Sequence, residues 1–295
     1  MVRQGTLYLT LFVATFAVSW AAIIIKFTDA GPIPNAFYRM ALAAFILAIP
    51  SAAKTVRTWR GLNRRQRTLL LLSGFFLGLH FITWVSSLFY TTISNSIILV
   101  STNPVFVMIM ERLFFKQKAP VRSVIGMSTA IAGMIVIAGG DINLGREYII
   151  GDILAVIGAV CVAIYLIIGR SLRSLVDNLS YTFPVYATAA GTILICGLFN
   201  GDNLTDYPSK TWLLFLLLAL VPTLMGHSLY NWLLKFLPAH LVATTVLGEP
   251  IGATVLAIVF FQEIPGWATV IGGVMILSGI FVVMKRPKSR SPGRQ

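Results

Sequence analysis

A few ionisable side chains lie inside long apolar stretches of this sequence, where a charge is costly and usually has a function. Glu249 is near the middle of one such stretch and directly precedes Pro250. A proline inside a helix frees a backbone carbonyl one turn earlier. A carboxylate beside a loosened helix can bind a proton or a cationic group. The alternative is that Glu249 only caps freed backbone donors or pairs with a neighbouring helix.

A second candidate helix break lies at Pro104, which follows Asn103 and the polar pair Ser101 and Thr102. The residue before this proline is neutral, so the two breaks differ in charge. A substrate with unlike ends could use that asymmetry, and Asn103 is therefore a candidate binding residue. Alternatively, Pro104 only kinks its helix.

Two histidines also lie in apolar stretches, and each has a polar or aromatic partner on the same face. Trp84 follows His80 by one helical turn, and Tyr230 or Asn231 follows His227. Residues four apart share a helix face, so each pair could line a cavity. Histidine titrates near neutral pH and can carry protons. The alternative is a neutral histidine that forms a hydrogen bond between two helices.

Arg39 lies about two turns into another apolar stretch, in the segment Asn35–Arg39. Its guanidinium could bind a substrate carboxylate or balance Glu249, or it could extend to the membrane surface. The aromatic residues Trp20 and Tyr165 could stack on an apolar part of a substrate, or they could simply face lipid. These three residues complete the set of candidate binding residues.

The composition indicates that lipid surrounds most of the chain. Of its 295 residues, 57% are hydrophobic and only 11% are charged, with a mean hydropathy of +0.84, whereas soluble domains carry about 25% charged residues. In a soluble protein the net charge of +13 would indicate a nucleic-acid partner. Here we interpret the basic residues as signals for membrane topology and expect no nucleic-acid partner. Cys161 and Cys196 fall in apolar runs and fit no metal site. We predict no cofactor, no metal and no catalytic residue.

Ten apolar runs have about the 20 residues that a membrane-spanning helix needs. They cover residues 6–26, 33–52, 68–90, 95–115, 121–140, 149–169, 180–199, 210–233, 239–261 and 265–285. The first run has no clear cleavage site after it, so we expect it to be retained. With the N-terminus inside, all but four of the 23 Lys and Arg residues fall in cytoplasmic segments. This bias predicts a multi-pass protein of the plasma membrane with both termini in the cytoplasm.

The second half of the chain repeats the first at an offset of 146 residues. Residues 95–138 and 241–284 share nine identical positions, which include Pro104 with Pro250, Gly126 with Gly272 and Gly133 with Gly279. Five spans are an odd number, so the second half must enter the membrane inverted. The predicted fold is all-α, with ten transmembrane helices in two inverted five-helix repeats, residues 1–146 and 147–295. A binding site is expected at their interface, near the midplane.

These features resemble the EamA family of the drug/metabolite transporter superfamily over nearly the whole chain. The repeat of that family typically has an arginine in its second span, here Arg39. It also has a glutamate at the end of its fourth span, here Glu263, whereas Gln117 stands at that place in the first half. The resemblance implies a secondary transporter, often an exporter of amino acids or other small metabolites.

We therefore expect a secondary active transporter that moves a small metabolite by alternating access, with export of amino acids or related compounds as the leading interpretation. Protons are the candidate coupling ion, with Glu249 and His80 as coupling residues, and the protein would act in the bilayer as a monomer or homodimer. The alternatives are an importer of a small cationic or other metabolite, a channel or scaffold, and a membrane-embedded enzyme. The enzyme is disfavoured because the sequence contains no His-Glu-x-x-His, Gly-x-Ser-x-Gly or Cys-cluster motif.

Overall fold

The computed structural model describes residues 4–115, 121–141, 145–237, 239, 242 and 248–284, and this part of the chain is helical, without strands. The helices are α1 (Gln4–Ser19), α2 (Ala21–Lys26), α3 (Pro32–Gly61), α4 (Arg64–Ser87), α5 (Ile93–Val100), α6 (Asn103–Phe115), α7 (Val121–Asp141), α8 (Arg146–Arg173), α9 (Asn178–Asn200), α10 (Ser209–Leu218), a π-helical segment (Ala219–His227), α11 (Ser228–Leu233), α12 (Gly248–Phe261) and α13 (Trp267–Met284). The predictions for Gln117 and the basic tail after residue 284 lie outside the described residues.

Seven of the described stretches are long and apolar enough to cross a membrane. They are Gln4–Lys26, Pro32–Gly61, Arg64–Ser87, Ile93–Leu113, Arg146–Arg173, Asn178–Asn200 and Ser209–Leu233. Three further apolar helices are shorter, namely Val124–Ile137, Gly248–Phe261 and Trp267–Gly279. These three lie within the remaining predicted spans, so a multi-helix membrane protein is supported and the count of ten stays a prediction.

Three of the predicted spans are interrupted rather than continuous. Trp20 forms a turn between α1 and α2, and Ser101 and Thr102 separate α5 from α6. The Thr102 hydroxyl donates to a backbone carbonyl 2.7 Å away, an alternative bond that competes with the helical pattern. In the third span, α10 continues into the π-helical segment, which contains Pro222. Proline cannot donate to the helical ladder and its ring crowds the preceding turn, which accounts for this irregularity.

Local signals define the helix starts near the predicted cytoplasmic surface. Asn63 and Gln66 form a reciprocal capping box at the start of α4, with both hydrogen bonds 2.9 Å long. Asp177 caps α9 by accepting from the Ser180 N–H, and it also pairs with Lys54 at 3.2 Å. Such caps satisfy backbone N–H groups that have no partner within the helix.

Helices from the two halves of the chain pack against each other. The first helix of the second half, α8, packs against α4, α5 and α6, whereas α1 and α2 pack against the π-helical segment, α11 and α12. In addition, α3 lies along α9 and α7 lies along α13. Large apolar side chains such as Phe12, Phe199 and Trp267 are exposed on the outside, as a lipid-facing surface requires.

The contact between α7 and α13 depends on glycines. A Cβ atom added at Gly133 would lie 2.6 Å from the Gly272 carbonyl oxygen, and one added at Gly279 would lie 2.5 Å from the Gly126 carbonyl oxygen. Along α7 the contacts run from Gly126 to Gly133, while along α13 they run from Gly279 back to Gly272, so the two helices are antiparallel. Such close contact is typical of membrane helices, where small residues let helix backbones approach.

Gly133→Ala is expected to destabilise the protein by about 1–3 kcal/mol, the usual cost of overpacking. An added Cβ at this position would clash with backbone atoms of α13. A change of side-chain rotamer cannot remove a clash with backbone. Gly139→Ala in the same helix is the matched control, because nothing lies within 4 Å of its added Cβ. Thermal unfolding of the detergent-purified variants would measure this loss of stability. Equal midpoints for the two variants would contradict the close approach of α7 and α13.

Candidate functional site

A cavity between the helices brings together eight of the ten residues predicted to bind a substrate. They are Arg39, His80, Trp84, Asn103, Tyr165, His227, Tyr230 and Glu249. Apolar side chains complete the walls, among them Val18, Val100, Val162 and Leu166. The space open to water is about 50 Å³, which is room for only a few water molecules. The cavity is therefore too small for a metabolite in this conformation.

The interrupted helices border this cavity. Asn103 begins α6 directly after the break at Ser101 and Thr102, and Glu249 lies in the first turn of α12. His227 is the last residue of the π-helical segment. Irregular backbone at membrane depth is tolerated where it is buried in protein or lines a cavity, and π-helical turns are frequent at functional sites.

Pro104 lies at a helix start rather than within a helix. Pro104 is the second residue of α6, and Pro250 is the third residue of α12. In the first turn of a helix a backbone N–H has no intrahelical partner to lose, so proline fits there without a kink. The break predicted near Pro104 therefore precedes the proline instead of following from it. Residues 243–247 lie outside the described residues, and a break before Pro250 stays a prediction.

Arg39 is fully buried and has spare hydrogen-bonding capacity. Its Nε donates to the Thr223 hydroxyl at 3.2 Å, and its guanidinium lies over the Phe81 ring, 4.1 Å from the centroid. Neither terminal guanidinium nitrogen has a hydrogen-bond partner among the described residues. Buried polar groups are normally paired, so an unpaired guanidinium that lines a cavity points to an anionic ligand there. The alternative in which Arg39 extends to the membrane surface does not fit its complete burial.

His80 forms a hydrogen bond between two helices and also lines the cavity. Its Nδ1 lies 2.9 Å from the Gly158 carbonyl oxygen, and because a carbonyl only accepts, Nδ1 carries a proton. This bond joins α4 to α8, while the ring also faces the cavity, stacked on Trp84 with 6.0 Å between centroids. The His227 ring lies 6.4 Å from the His80 ring. The two imidazoles that the sequence placed in different halves are thus neighbours.

The remaining predicted residues divide into those inside the cavity wall and those behind it. The Tyr165 hydroxyl donates to Asn231 Oδ1 at 2.5 Å, so Asn231 supports Tyr165 instead of lining the cavity. The Tyr230 hydroxyl is 3.0 Å from Thr15 Oγ1. Trp20 lies outside the cavity, and its ring packs 5.9 Å from that of Phe260.

The sequence analysis missed Thr223 and Tyr186. Thr223 orients Arg39, and the Tyr186 hydroxyl is 3.0 Å from Ser228 Oγ, just after the π-helical segment. Both residues are fully buried. Pro222 inside a predicted span was a usable signal for this region, whereas a tyrosine in an apolar helix has too many structural roles to be singled out.

Glu263, the span-end residue of the family pattern, has a structural position outside the cavity. Its Oε1 accepts from the Ser94 backbone N–H at 3.1 Å and thus serves the first turn of α5. Burial raises the pKa of the Glu263 carboxyl above its ordinary value, although the Ser94 N–H and the charge of Lys26 favour the ionised form. A carboxylate near a helix N-terminus is stabilising, so this residue links α5 to the loop after α12.

The polar groups that line the cavity are of types that can bind charged ligands and exchange protons. It presents one guanidinium, one carboxyl group and two imidazoles among aromatic and aliphatic walls. Among the residues that the structure describes, no three His, Cys, Asp or Glu side chains are placed to hold a metal ion. This donor set can recognise a small molecule that carries both an anionic and a cationic group.

Comparisons with known proteins agree with this architecture. A profile of the EamA-like transporter family matches residues 3–139 and again residues 149–285. An uncharacterized transporter of Archaeoglobus fulgidus is 28% identical over 94% of this chain and 96% of its own length. A probable terminal-alkyne amino-acid exporter of Streptantibioticus cattleyicolor is 23% identical over 97% of both chains.

A solved crystal structure also matches the fold, with a TM-score of 0.68 over 94% of this chain and 97% of that chain. Its sequence identity is 18%, so this likeness concerns the fold alone. The two family matches together cover most of the sequence, from residue 3 to residue 285. The chain therefore belongs to the EamA-like transporter family.

Proposed function

We propose that this protein is a secondary active transporter that exports an amino acid or a close relative across the plasma membrane by alternating access. The observation that carries the proposal is the unpaired guanidinium of Arg39 in a cavity that also contains the carboxyl group of Glu249. The α-carboxylate of an amino acid would bind Arg39 and its ammonium group would bind Glu249. Charge-assisted, bidentate pairs of arginine with carboxylate are among the strong interactions in proteins.

The walls of the cavity fit the rest of such a substrate. Val18, Val100, Val162 and Leu166 offer an apolar surface to a side chain. The Asn103 Oδ1 and the Trp84 Nε1 have no hydrogen-bond partner among the described residues, so one acceptor and one donor remain for the ligand. The amino-acid exporter named among the relatives supports this substrate class and the outward direction.

An inverted repeat of ten spans is part of the proposal. The family profile matches twice at the same offset of 146 residues that the sequence repeats show. The contact of Gly126 with Gly279 and of Gly133 with Gly272 is reciprocal and antiparallel. This is the contact pattern that a two-fold axis in the membrane plane would produce, with both termini on the cytoplasmic side.

The small size of the cavity and the bonds between helices toward either membrane surface support alternating access. On the predicted cytoplasmic side, Arg170 of α8 pairs with Glu111 of α6. On the opposite side, Glu263 bridges toward α5. An amino acid can enter the cavity only if one of these ends opens, and repeats that rock against each other would open them in turn. Glu249 and His80 are the proposed sites of proton exchange.

Counterflow in proteoliposomes tests this function. Vesicles loaded with an unlabelled amino acid should accumulate the labelled compound at least severalfold above protein-free vesicles, because a carrier exchanges substrate without net energy input. A panel of aliphatic and aromatic amino acids, amines and carboxylic acids would define the class. Thermal stabilisation by the same compounds is an independent readout, with about 2.7 kcal/mol expected at 100 times the dissociation constant. Absence of both counterflow and stabilisation across the panel would overturn the proposed substrate class.

A further inference from the structure

A large groove lies behind the candidate site, on the other side of α8. Tyr165 and Leu166 face the central cavity, whereas their neighbours Ile164, Ile167 and Ile168 line this groove. Its volume is about 930 Å³, and its other walls come from α4 and α6. We name it the α4–α8 groove. Its position on the opposite face of α8 separates it from the substrate site.

The walls of the α4–α8 groove are apolar and open toward the surroundings of the protein. Leu69 and Phe76 of α4 face Met110 and Leu113 of α6 across it. The rim is exposed, with 70% of Leu113 and 63% of Leu175 accessible. In a membrane protein, an exposed apolar rim of this kind contacts acyl chains, which therefore have direct access to the groove.

One end of the α4–α8 groove is polar and positively charged. Asn63, Arg65 and Gln66 line it at the start of α4. Arg65 forms no hydrogen bond or ion pair with any part of the chain that the structure describes, and the first turn of α4 contains no acidic residue. Cations at a helix N-terminus oppose the helix dipole, so this end of the groove attracts an anion.

The capping box leaves suitable donors at the same end. The Asn63 side-chain oxygen accepts from the Gln66 N–H, and the Gln66 side-chain oxygen accepts from the Asn63 N–H. A side-chain amide has an oxygen acceptor and an NH₂ donor, so the NH₂ groups remain for an anion. The acidic Glu111 of α6 is already paired with Arg170 and does not cancel the charge of Arg65.

We propose that the α4–α8 groove binds an anionic phospholipid of the cytoplasmic leaflet. One acyl chain would lie between Phe76, Met110 and Ile168, and the phosphate would contact Arg65 and the amides of the capping box. The leaflet follows from the proposed orientation, because the segment between the predicted spans 33–52 and 68–90 would lie in the cytoplasm and contains the first turn of α4. Juxtamembrane basic residues attract anionic lipid by about 1 kcal/mol each. The apolar groove adds a complementary surface for the acyl chain.

Lipid titration of the full-length, detergent-purified protein tests this proposal. We expect phosphatidylglycerol to bind and to raise the unfolding midpoint more than phosphatidylcholine with the same acyl chains, measured by native mass spectrometry and thermal shift. Arg65→Gln should weaken phosphatidylglycerol binding roughly fivefold, the loss that corresponds to about 1 kcal/mol. Arg57→Gln is the matched control, since Arg57 is exposed on the same basic segment and does not line the groove.

Two further measurements distinguish the contribution of the acyl chain to binding from that of the headgroup. Ile168→Phe should fill the groove and weaken binding of both lipids, while glycerol phosphate, which lacks acyl chains, should not stabilise the wild type. Equal stabilisation by the two lipids would overturn the proposal, as would an Arg65→Gln variant that binds phosphatidylglycerol as the Arg57→Gln variant does. None of these readouts requires transport, so failure here is distinguishable from failure of the proposed function.

Discussion

Arg39→Gln is expected to reduce amino-acid counterflow roughly a hundredfold. Removing one partner of a buried, hydrogen-bonded charge pair costs about 2–5 kcal/mol, and two nitrogens of the Arg39 guanidinium have no hydrogen-bond partner among the described residues. Arg39→Lys should retain only part of the activity, because an ammonium keeps the charge but loses the planar fork that matches a carboxylate. Counterflow rates of the three proteins, reconstituted at equal amounts, give the measurement.

Stability distinguishes a binding role of Arg39 from a structural one. A buried charge carries a large desolvation cost, so we expect Arg39→Gln to leave the unfolding midpoint unchanged or higher while transport is lost. An unfolding midpoint that falls in proportion to activity would instead show that Arg39 has a structural role. Ligand analogues sharpen the test: the wild type should bind an amino acid more tightly than the amine without its carboxylate, and Arg39→Gln should bind the two equally.

The residues of the cavity could be predicted because a polar group in an apolar helix is rare and expensive. Arg39, His80, His227 and Glu249 were identified on that ground alone, and the structure places all four on one cavity. The sequence contained no information on their partners. Thr223 acquires its role only from the packing of α3 against the π-helical segment, and Tyr186 acquires its role only from the packing of α9 against α11.

Helix interruptions were harder to predict than helices. Pro104 predicts a break that the proline itself causes, but the chain turns at Ser101 and Thr102, and α6 then begins at Asn103 with the proline in its first turn. Proline is compatible with the first turn of a helix and incompatible with its interior. It therefore indicates a helix boundary but does not indicate whether the chain bends before or after the proline. The turn at Trp20 has no proline or glycine beside it, so the sequence carries no signal for it.

The α4–α8 groove could not be foreseen for a related reason. Its walls consist of Ile, Leu, Met and Phe, which in a membrane protein occur equally at helix contacts and on lipid-facing surfaces. Whether such residues meet or leave a gap depends on how far apart α4, α6 and α8 lie. Only the basic first turn of α4 was visible in the sequence, and it was interpreted as a topology signal.

Glu249→Gln is expected to abolish transport driven by a proton gradient, with at least a tenfold loss, while the fold remains intact. Glutamine is nearly isosteric with glutamate but cannot ionise, so it can neither exchange a proton nor pair with an ammonium group. Transport would be compared in proteoliposomes with and without an imposed pH gradient. Glu147→Gln is the matched control, because Glu147 is exposed in the first turn of α8 and does not line the cavity.

Ligand analogues divide the two roles proposed for Glu249. If its carboxylate binds the ammonium group, Glu249→Gln should bind an amino acid and the acid without its amine equally, the mirror image of the result expected for Arg39→Gln. If Glu249 only exchanges protons, the variant should still prefer the amino acid, and counterflow should persist without any response to the pH gradient. Full gradient-driven transport in Glu249→Gln would remove both roles and leave the alternative in which Glu249 only caps backbone donors or pairs with a neighbouring helix.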